Sequence, residues 1–241
     1  MINEKRFAES YNSFWNTILP MSASAVKNLK IISHNVNDVI EYEYIPKRRA
    51  LINHFSFNIY KYSIKKKCSI SIIKKDSELI KKLLCLTQKQ LSAFISKDLP
   101  NLEDLNRNEM QESIQIAENL EMFFKKHYKK SNTKIIANPK FRGCGIINNC
   151  YGDILIDKDL YEIKATKKYF EPKDIRQLLT YCALNFNNKR YNIENIGIYN
   201  PKVGLYFKIN VNDICSLASG NNSITIFNSI VDFVSTYGGH N

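Results

Sequence analysis

An α/β fold is the class this sequence predicts, and three stretches of chain carry the prediction. Residues 152–166 alternate apolar and polar side chains with the period of two expected of strands. Residues 108–128 and 172–187 each place apolar side chains at helical spacing. At 241 residues the chain can bury a full core, as one domain or as a domain with an extension.

The elements follow in order. Residues 1–35 read as helix and turn, with Phe7, Tyr11, Phe14, Trp15 and Ile18 at roughly helical spacing. Val39 to Ile45 and Leu51 to Ile73 read as strands, the second a hairpin broken near Lys65–Lys67. Its aromatics Phe55, Phe57, Tyr60 and Tyr62 alternate as on a strand with one wetter face. Asp76 to Lys97 is helical, and the polar connection Leu99 to Asn106 marks a boundary. The expected division is therefore a basic α+β region at residues 1–106 and a second region at 107–241. In the second, a helix from about Asn108 to Tyr128 turns Met110, Ile114, Ala117, Phe124 and Tyr128 inward, with Glu121 in the same stripe. A strand at Lys134 to Ala137 and the 152–166 hairpin come next. Pro172 suits the first turn of the 172–187 helix, whose apolar stripe is Ile175, Leu178, Leu179, Cys182 and Phe186. Asn195 to Tyr199 and Gly204 to Val211 are strands, and Asn222 to Tyr237 is a closing apolar segment.

The hairpin carries the chemistry. With Lys158-Asp159 as a two-residue turn, Asp157 pairs with Leu160, Leu155 falls opposite Glu162, and Asp153 falls opposite Lys164. Asp153, Glu162 and Lys164 then share one face, with the two carboxylates as diagonal neighbours able to converge on one cation. Two carboxylates without soft ligands favour Mg²⁺, with Mn²⁺ as substitute. A lysine beside them can hold a water or offset charge developing on a phosphate.

Composition points the same way. The net charge is +12. Residues 1–100 carry 17 Lys/Arg against 8 Asp/Glu, whereas residues 101–241 carry 18 against 15. The clusters Lys47–Arg49, Lys65–Lys67, Lys74–Lys75 and Lys81–Lys82 suit phosphate contacts that position nucleic acid without reading sequence. Charge alone does not separate DNA from RNA. Cys68, Cys85, Cys144, Cys150, Cys182 and Cys215 form no Cys-x-x-Cys pair, which disfavours structural zinc. The four histidines show no ligand spacing. Neither a signal peptide nor a membrane-spanning run is visible, and free cysteines suit a reducing cytoplasm.

On these residues the sequence resembles the PD-(D/E)xK nuclease superfamily. Gly152-Asp153 matches the first motif strand, and Glu162-Ile163-Lys164 the second. Asn138-Pro-Lys-Phe-Arg-Gly-Cys-Gly145 is similar to the lead-in of many members. Gln177-Leu-Leu-Thr-Tyr181 is similar to the Gln-x-x-x-Tyr motif of RecB-type nucleases, with both polar residues on one helical face. The likeness runs from about Gln111 to Val211. It implies a restriction-endonuclease-like core, a mixed sheet flanked by helices in the order αβββαβ. It implies Asp153, Glu162 and the Ile163 carbonyl as metal ligands and Lys164 as the catalytic lysine. Gln177 and Tyr181 would lie beside them. Many members add a glutamate from the preceding helix, for which Glu121 is favoured over Glu118 and Glu112. The cysteine group that holds an iron–sulfur cluster in some relatives is missing here, so no cluster is expected.

The resulting expectation is a Mg²⁺-dependent phosphodiesterase acting on DNA. Its rival is a catalytically silent subunit of the same fold that binds nucleic acid or assembles with a partner. The Asn/Ile/Lys bias is similar to that of AT-rich bacterial and phage genomes, where by analogy such nucleases serve defence or restriction. The chain has no Walker motif, so any ATP-driven step needs a partner ATPase or targeting protein.

Overall fold

The computed structural model describes residues 1–41, 48–92, 105–128 and 133–238. At its centre lies the expected hairpin, β5 (Ile154–Ile156) and β6 (Asp159–Ile163). Its side chains divide as the alternation requires. Leu155 and Leu160 enter one apolar core, while Ile154, Ile156 and Tyr161 enter another on the opposite face. A strand apolar on both faces must be covered on both, so helices lie above and below this sheet.

Strand β7 (Asn195–Asn200) runs parallel to β6, a connection that needs a crossover, and α8 (Pro172–Asn188) supplies it. Strand β8 (Leu205–Asn210) returns antiparallel to β7, and β1 (His34–Asn35) borders β8. Strand β2 (Ile135–Ala137) borders β5 on the other side. The result is a mixed six-stranded sheet in the order β1-β8-β7-β6-β5-β2. A separate ribbon, β3 (Lys140–Phe141) with β4 (Cys150–Tyr151), leads into the hairpin.

One helical layer contains α1 (Glu4–Ser10), α2 (Asn12–Ile18), α3 (Ser22–Ile31), α8, α9 (Val211–Ser219) and α10 (Ser223–Gly238). Phe7 and Trp15 are fully buried there, and the Trp15 indole donates to the Phe7 carbonyl at 2.9 Å. The Arg176 guanidinium ties α8 to α2 through the side-chain oxygens of Asn12 and Asn16. The other layer contains α4 (Arg49–Lys66), α5 (Ile70–Ile73), α6 (Ser77–Ser92) and α7 (Arg107–His127). Residues before 107 thus build parts of both layers and one edge of the sheet.

Leu51 to Ile73 corrects the sequence reading, because two helices replace the expected hairpin. The aromatic alternation was incidental. Burial follows Leu51, Ile52, Phe55, Ile59 and Ser63, a helical stripe facing α7. The lysines near position 65 end the helix rather than turn a hairpin. Lys65 and Lys66 lie in its last turn, where cations suit the dipole, and Lys67 closes it at φ 51°. Val39 and Ile40 are not strand, and residues 42–45 of that expected strand lie outside the described residues, as do Lys47, residues 93–97 of the expected helix and 99–104 of the expected boundary.

Candidate active site

The site begins with a correction to the hairpin. The observed pairs are Ile154 with Tyr161, Leu155 with Leu160 and Ile156 with Asp159. The turn is therefore Asp157-Lys158, one position earlier than expected. Asp157 takes the left-handed conformation this turn needs, at φ 51°, which aspartate tolerates better than most residues. Its carboxylate also accepts the Lys134 amide at 2.9 Å. The pairing moves by two residues, so every side chain keeps its face. Continuing one step past Ile154–Tyr161 sets Asp153 directly across from Glu162 rather than diagonal to it.

The contacts agree with that placement. Asp153 Oδ2 accepts the Ile163 amide at 2.7 Å. Its carboxyl is held up at about 7, by burial first and then by the negative charge of Glu162. The Ile163 amide, Lys5 and Lys164 pull in the opposite direction without cancelling the effect. Glu162 is buried, and its Oε1 lies 3.2 Å from Lys164 Nζ. Lys164 Nζ is equally close to Asp174 Oδ1, at 3.2 Å. Burial disfavours the lysine charge, but Glu162 and Asp174 outweigh it and raise the pKa, keeping Lys164 protonated.

Helix α8 supplies the next layer of contacts. Glu171 and Asp174 cap its start reciprocally, which fixes the turn that carries Asp174 to Lys164. Lys164 Nζ donates to Gln177 Oε1 at 3.0 Å, and Gln177 Nε2 donates to the Tyr181 hydroxyl at 3.0 Å. The Tyr181 hydroxyl lies 3.2 Å from Glu4 Oε1 and 3.1 Å from the Tyr151 carbonyl. Burial, followed by the charges of Glu162 and Glu4, raises the phenol pKa and keeps it protonated. Asp153, Glu162, Lys164, Gln177 and Tyr181 thus gather at one end of the hairpin.

Glu4, Lys5, His54 and Asp174 belong to the same neighbourhood and were not singled out in the sequence. Lys5 lines two cavities that meet at Lys164 and Thr166, of about 320 and 280 Å³. His54, on α4, lines the smaller one beside Asp153 and Glu162. Burial and then Lys5 and Lys61 lower its pKa, favouring the neutral ring. Asp174 was legible as an N-terminal helix acid, but Glu4, Lys5 and His54 reach the site only through the fold.

The glutamates of α7 do not join it. The inward stripe is rotated from the expected one, with Ser113, Ile116, Leu120 and Phe123 buried. That turns Glu121 toward the start of α5, where it accepts the Ile70 amide and the Ser69 hydroxyl and pairs with Lys125. Glu118 pairs with Lys74, and Glu112 with the buried Lys202.

Among the described residues, no three His, Cys, Asp or Glu side chains gather as metal ligands. A divalent ion beside Asp153 and Glu162 would complete its shell with peptide carbonyls, Ile163 among them, and water. That all-oxygen set suits Mg²⁺ or Mn²⁺, and an Asp153 carboxyl held up by burial and by the charge of Glu162 is what such a cation relieves. Among the described residues no helix is long and apolar enough to cross a membrane. In comparisons with known proteins, no protein-family model matches the chain and no curated protein matches it.

Proposed function

We propose that this chain is a metal-dependent nuclease that hydrolyses phosphodiester bonds, with DNA as its expected substrate. The observation that carries the reading is the closeness of Asp153 and Glu162 just beyond the last pair of the hairpin, where Asp153 accepts the Ile163 amide and protonated Lys164 lies against Glu162. The order α7, β2, β5, β6, α8, β7 supports a restriction-endonuclease-like core, with the β3–β4 ribbon inserted before β5. The Gln177–Tyr181 link onto Lys164 supports the RecB-type affinity.

Asp153, Glu162 and the Ile163 carbonyl would hold Mg²⁺ or Mn²⁺. The bound ion would supply positive charge for the scissile phosphate and lower the pKa of water. Lys164 donates hydrogen bonds and offers a fixed positive charge, suited to holding the attacking water and offsetting charge on the phosphate. Glu162, Asp174 and Gln177 occupy the three donors of the lysine head, so it takes up water or phosphate by exchanging one of these contacts, while the others hold it in place. Water adds to phosphorus and gives up a proton to solvent, the bond to the 3′ oxygen breaks, and solvent supplies a proton to that oxygen. We assign nucleic-acid or ATPase-partner contacts to the exposed lysines of α4–α6, and a cytoplasmic defence role to the chain by analogy.

The test is incubation with linear, circular and single-stranded DNA and with RNA, with Mg²⁺ or Mn²⁺. Asp153→Ala, Glu162→Ala and Lys164→Ala are each expected to lower cleavage by a factor of about 100 or more while leaving binding in EDTA largely intact. Full Mg²⁺-dependent activity in all three would sink the assignment. Binding without any wild-type cleavage would favour the silent-subunit alternative.

A further inference from the structure

We propose that Tyr169 is a stacking site for an unpaired nucleobase next to the scissile phosphate, making single-stranded nucleic acid the form this site takes. The inference deepens the nuclease reading and rests on it. Immediately after Lys164 the chain runs Ala165-Thr-Lys-Lys-Tyr-Phe170 over the surface. Tyr169 is 64% exposed, although it is a large aromatic, while its neighbour Phe170 is buried against Phe207.

The segment is held firmly on both sides of its tip. The Ala165 carbonyl accepts from Arg49 Nη1 and Asn53 Nδ2, both at 3.1 Å. The Thr166 carbonyl accepts Asn200 Nδ2 at 2.7 Å, and the Thr166 hydroxyl accepts the Lys168 amide at 3.1 Å. Phe170 then anchors the chain before α8 begins. An exposed ring on so constrained a backbone is pre-organised for contact, since binding need not order it first.

Position gives the ring its meaning. Tyr169 and Lys168 line the cavity that contains Lys164, and they also line a second cleft of about 430 Å³ bordered by Asn37 and Val203. The cavity holding Asp153 and Glu162 shares Lys5, Lys164 and Thr166 with the first. The three clefts therefore follow one another, with the carboxylates toward one end and Tyr169 between the other two.

Charge along this path fits a phosphate backbone. Lys167 and Lys168 immediately precede the ring, Lys30 Nζ lies over one of its faces at 5.4 Å from the centroid, and Lys5 and Lys168 line the central cleft, where Lys173 is paired with Glu171 and Glu9. Aromatic rings interleaved with lysines are how proteins hold single strands without reading sequence. A base already stacked within a duplex cannot offer its face to Tyr169. An unpaired base can, on either DNA or RNA.

The test uses the full chain in EDTA, so that binding is read without cleavage. Fluorescence anisotropy would compare labelled single-stranded DNA, single-stranded RNA and duplex DNA on wild type, Tyr169→Phe and Tyr169→Ala. Tyr169→Ala is expected to weaken single-strand binding by roughly five- to a hundredfold, Tyr169→Phe to bind like wild type, and duplex affinity to change little. A 2-aminopurine base walked along the strand is expected to be quenched at one position, and only when residue 169 is aromatic. The stronger of the two single-strand arms identifies the natural source. The proposal is overturned if Tyr169→Ala binds single strands like wild type, if duplex affinity falls equally, or if wild type binds no single strand. A wild type that binds as expected but never cleaves with Mg²⁺ would instead remove the nuclease reading.

Discussion

The Ile163 amide, next to Glu162, donates to Asp153 Oδ2 at 2.7 Å just beyond the last hairpin pair, Ile154 with Tyr161. One peptide group thus fixes the spacing of two like charges. The Asp153 carboxylate cannot swing away from Glu162 without giving up that hydrogen bond. The cost of that arrangement should be measurable in the absence of any metal.

The Asp153 carboxyl titrates at 3.8 when unperturbed and at about 7 in the fold. Between those values the folded state holds the extra proton, so its stabilising contribution is full at low pH and is lost as pH rises through about 7. In metal-free buffer, Asp153→Asn is expected to be more stable than wild type at pH 8, by at most a few kcal/mol and with a higher melting temperature, and to differ little at pH 4. Mg²⁺ should raise the wild-type melting temperature at pH 8 but not that of the asparagine variant. Superimposable melting profiles across pH would refute the strained pair.

Tyr181 is buried and stacked on Phe141 at 5.0 Å, so Tyr181→Phe keeps the packing and removes one hydroxyl. Gln177 Nε2 then loses its acceptor, and the buried Glu4 loses a donor. A loss of roughly 1–3 kcal/mol in stability is expected from such orphaned groups. If Gln177 positions Lys164, kcat should fall by about tenfold with KM little changed. Unchanged kcat alongside the stability loss would limit this chain of hydrogen bonds to a structural part.

Glu121 offers the opposite control. It holds the start of α5 rather than the carboxylate pair, so Glu121→Ala is expected to lower stability by about 1 kcal/mol. Cleavage and its Mg²⁺ requirement should persist. A rise in the Mg²⁺ concentration needed for half-maximal rate would return Glu121 to the metal's ligand set.

These cases also show which parts of the molecule were legible in the chain. The hairpin faces and α8 were readable because alternation and helical spacing report burial directly, as Ile154, Leu155, Leu178 and Cys182 demonstrate. The turn was displaced because Asp157-Lys158 and Lys158-Asp159 satisfy the same apolar pattern, and only the φ of Asp157 separates them. Leu51 to Ile73 was misread because β-branched and aromatic residues are tolerated in a helix when one stripe packs as tightly as Phe55 and Ile59 do. Glu121 failed because the α7 stripe includes polar residues, Ser113 and Asn119, that an apolar template skips. Glu4, Lys5 and His54 carry no local pattern that ties them to residues about a hundred or more positions away.

Helix α1 has a consequence for the order of assembly. Ile2 and Val234 grip the same loop, through the Ile146 and Asn148 amides and the Ile146 carbonyl, and Gly145 sits where a Cβ would meet the Val234 carbonyl at 1.9 Å. Contacts of that sequence separation carry the largest closure entropy, whereas a two-residue hairpin turn closes within about 1–10 μs. Asp153, Glu162 and Lys164 are therefore expected to find one another early, and Glu4 and Lys5 to arrive last. Pulse-labelled hydrogen exchange that found the amides of α1 protected before those of β6 would reverse this order. A folding intermediate would then hold the carboxylate pair and its lysine while lacking the helix that closes over them.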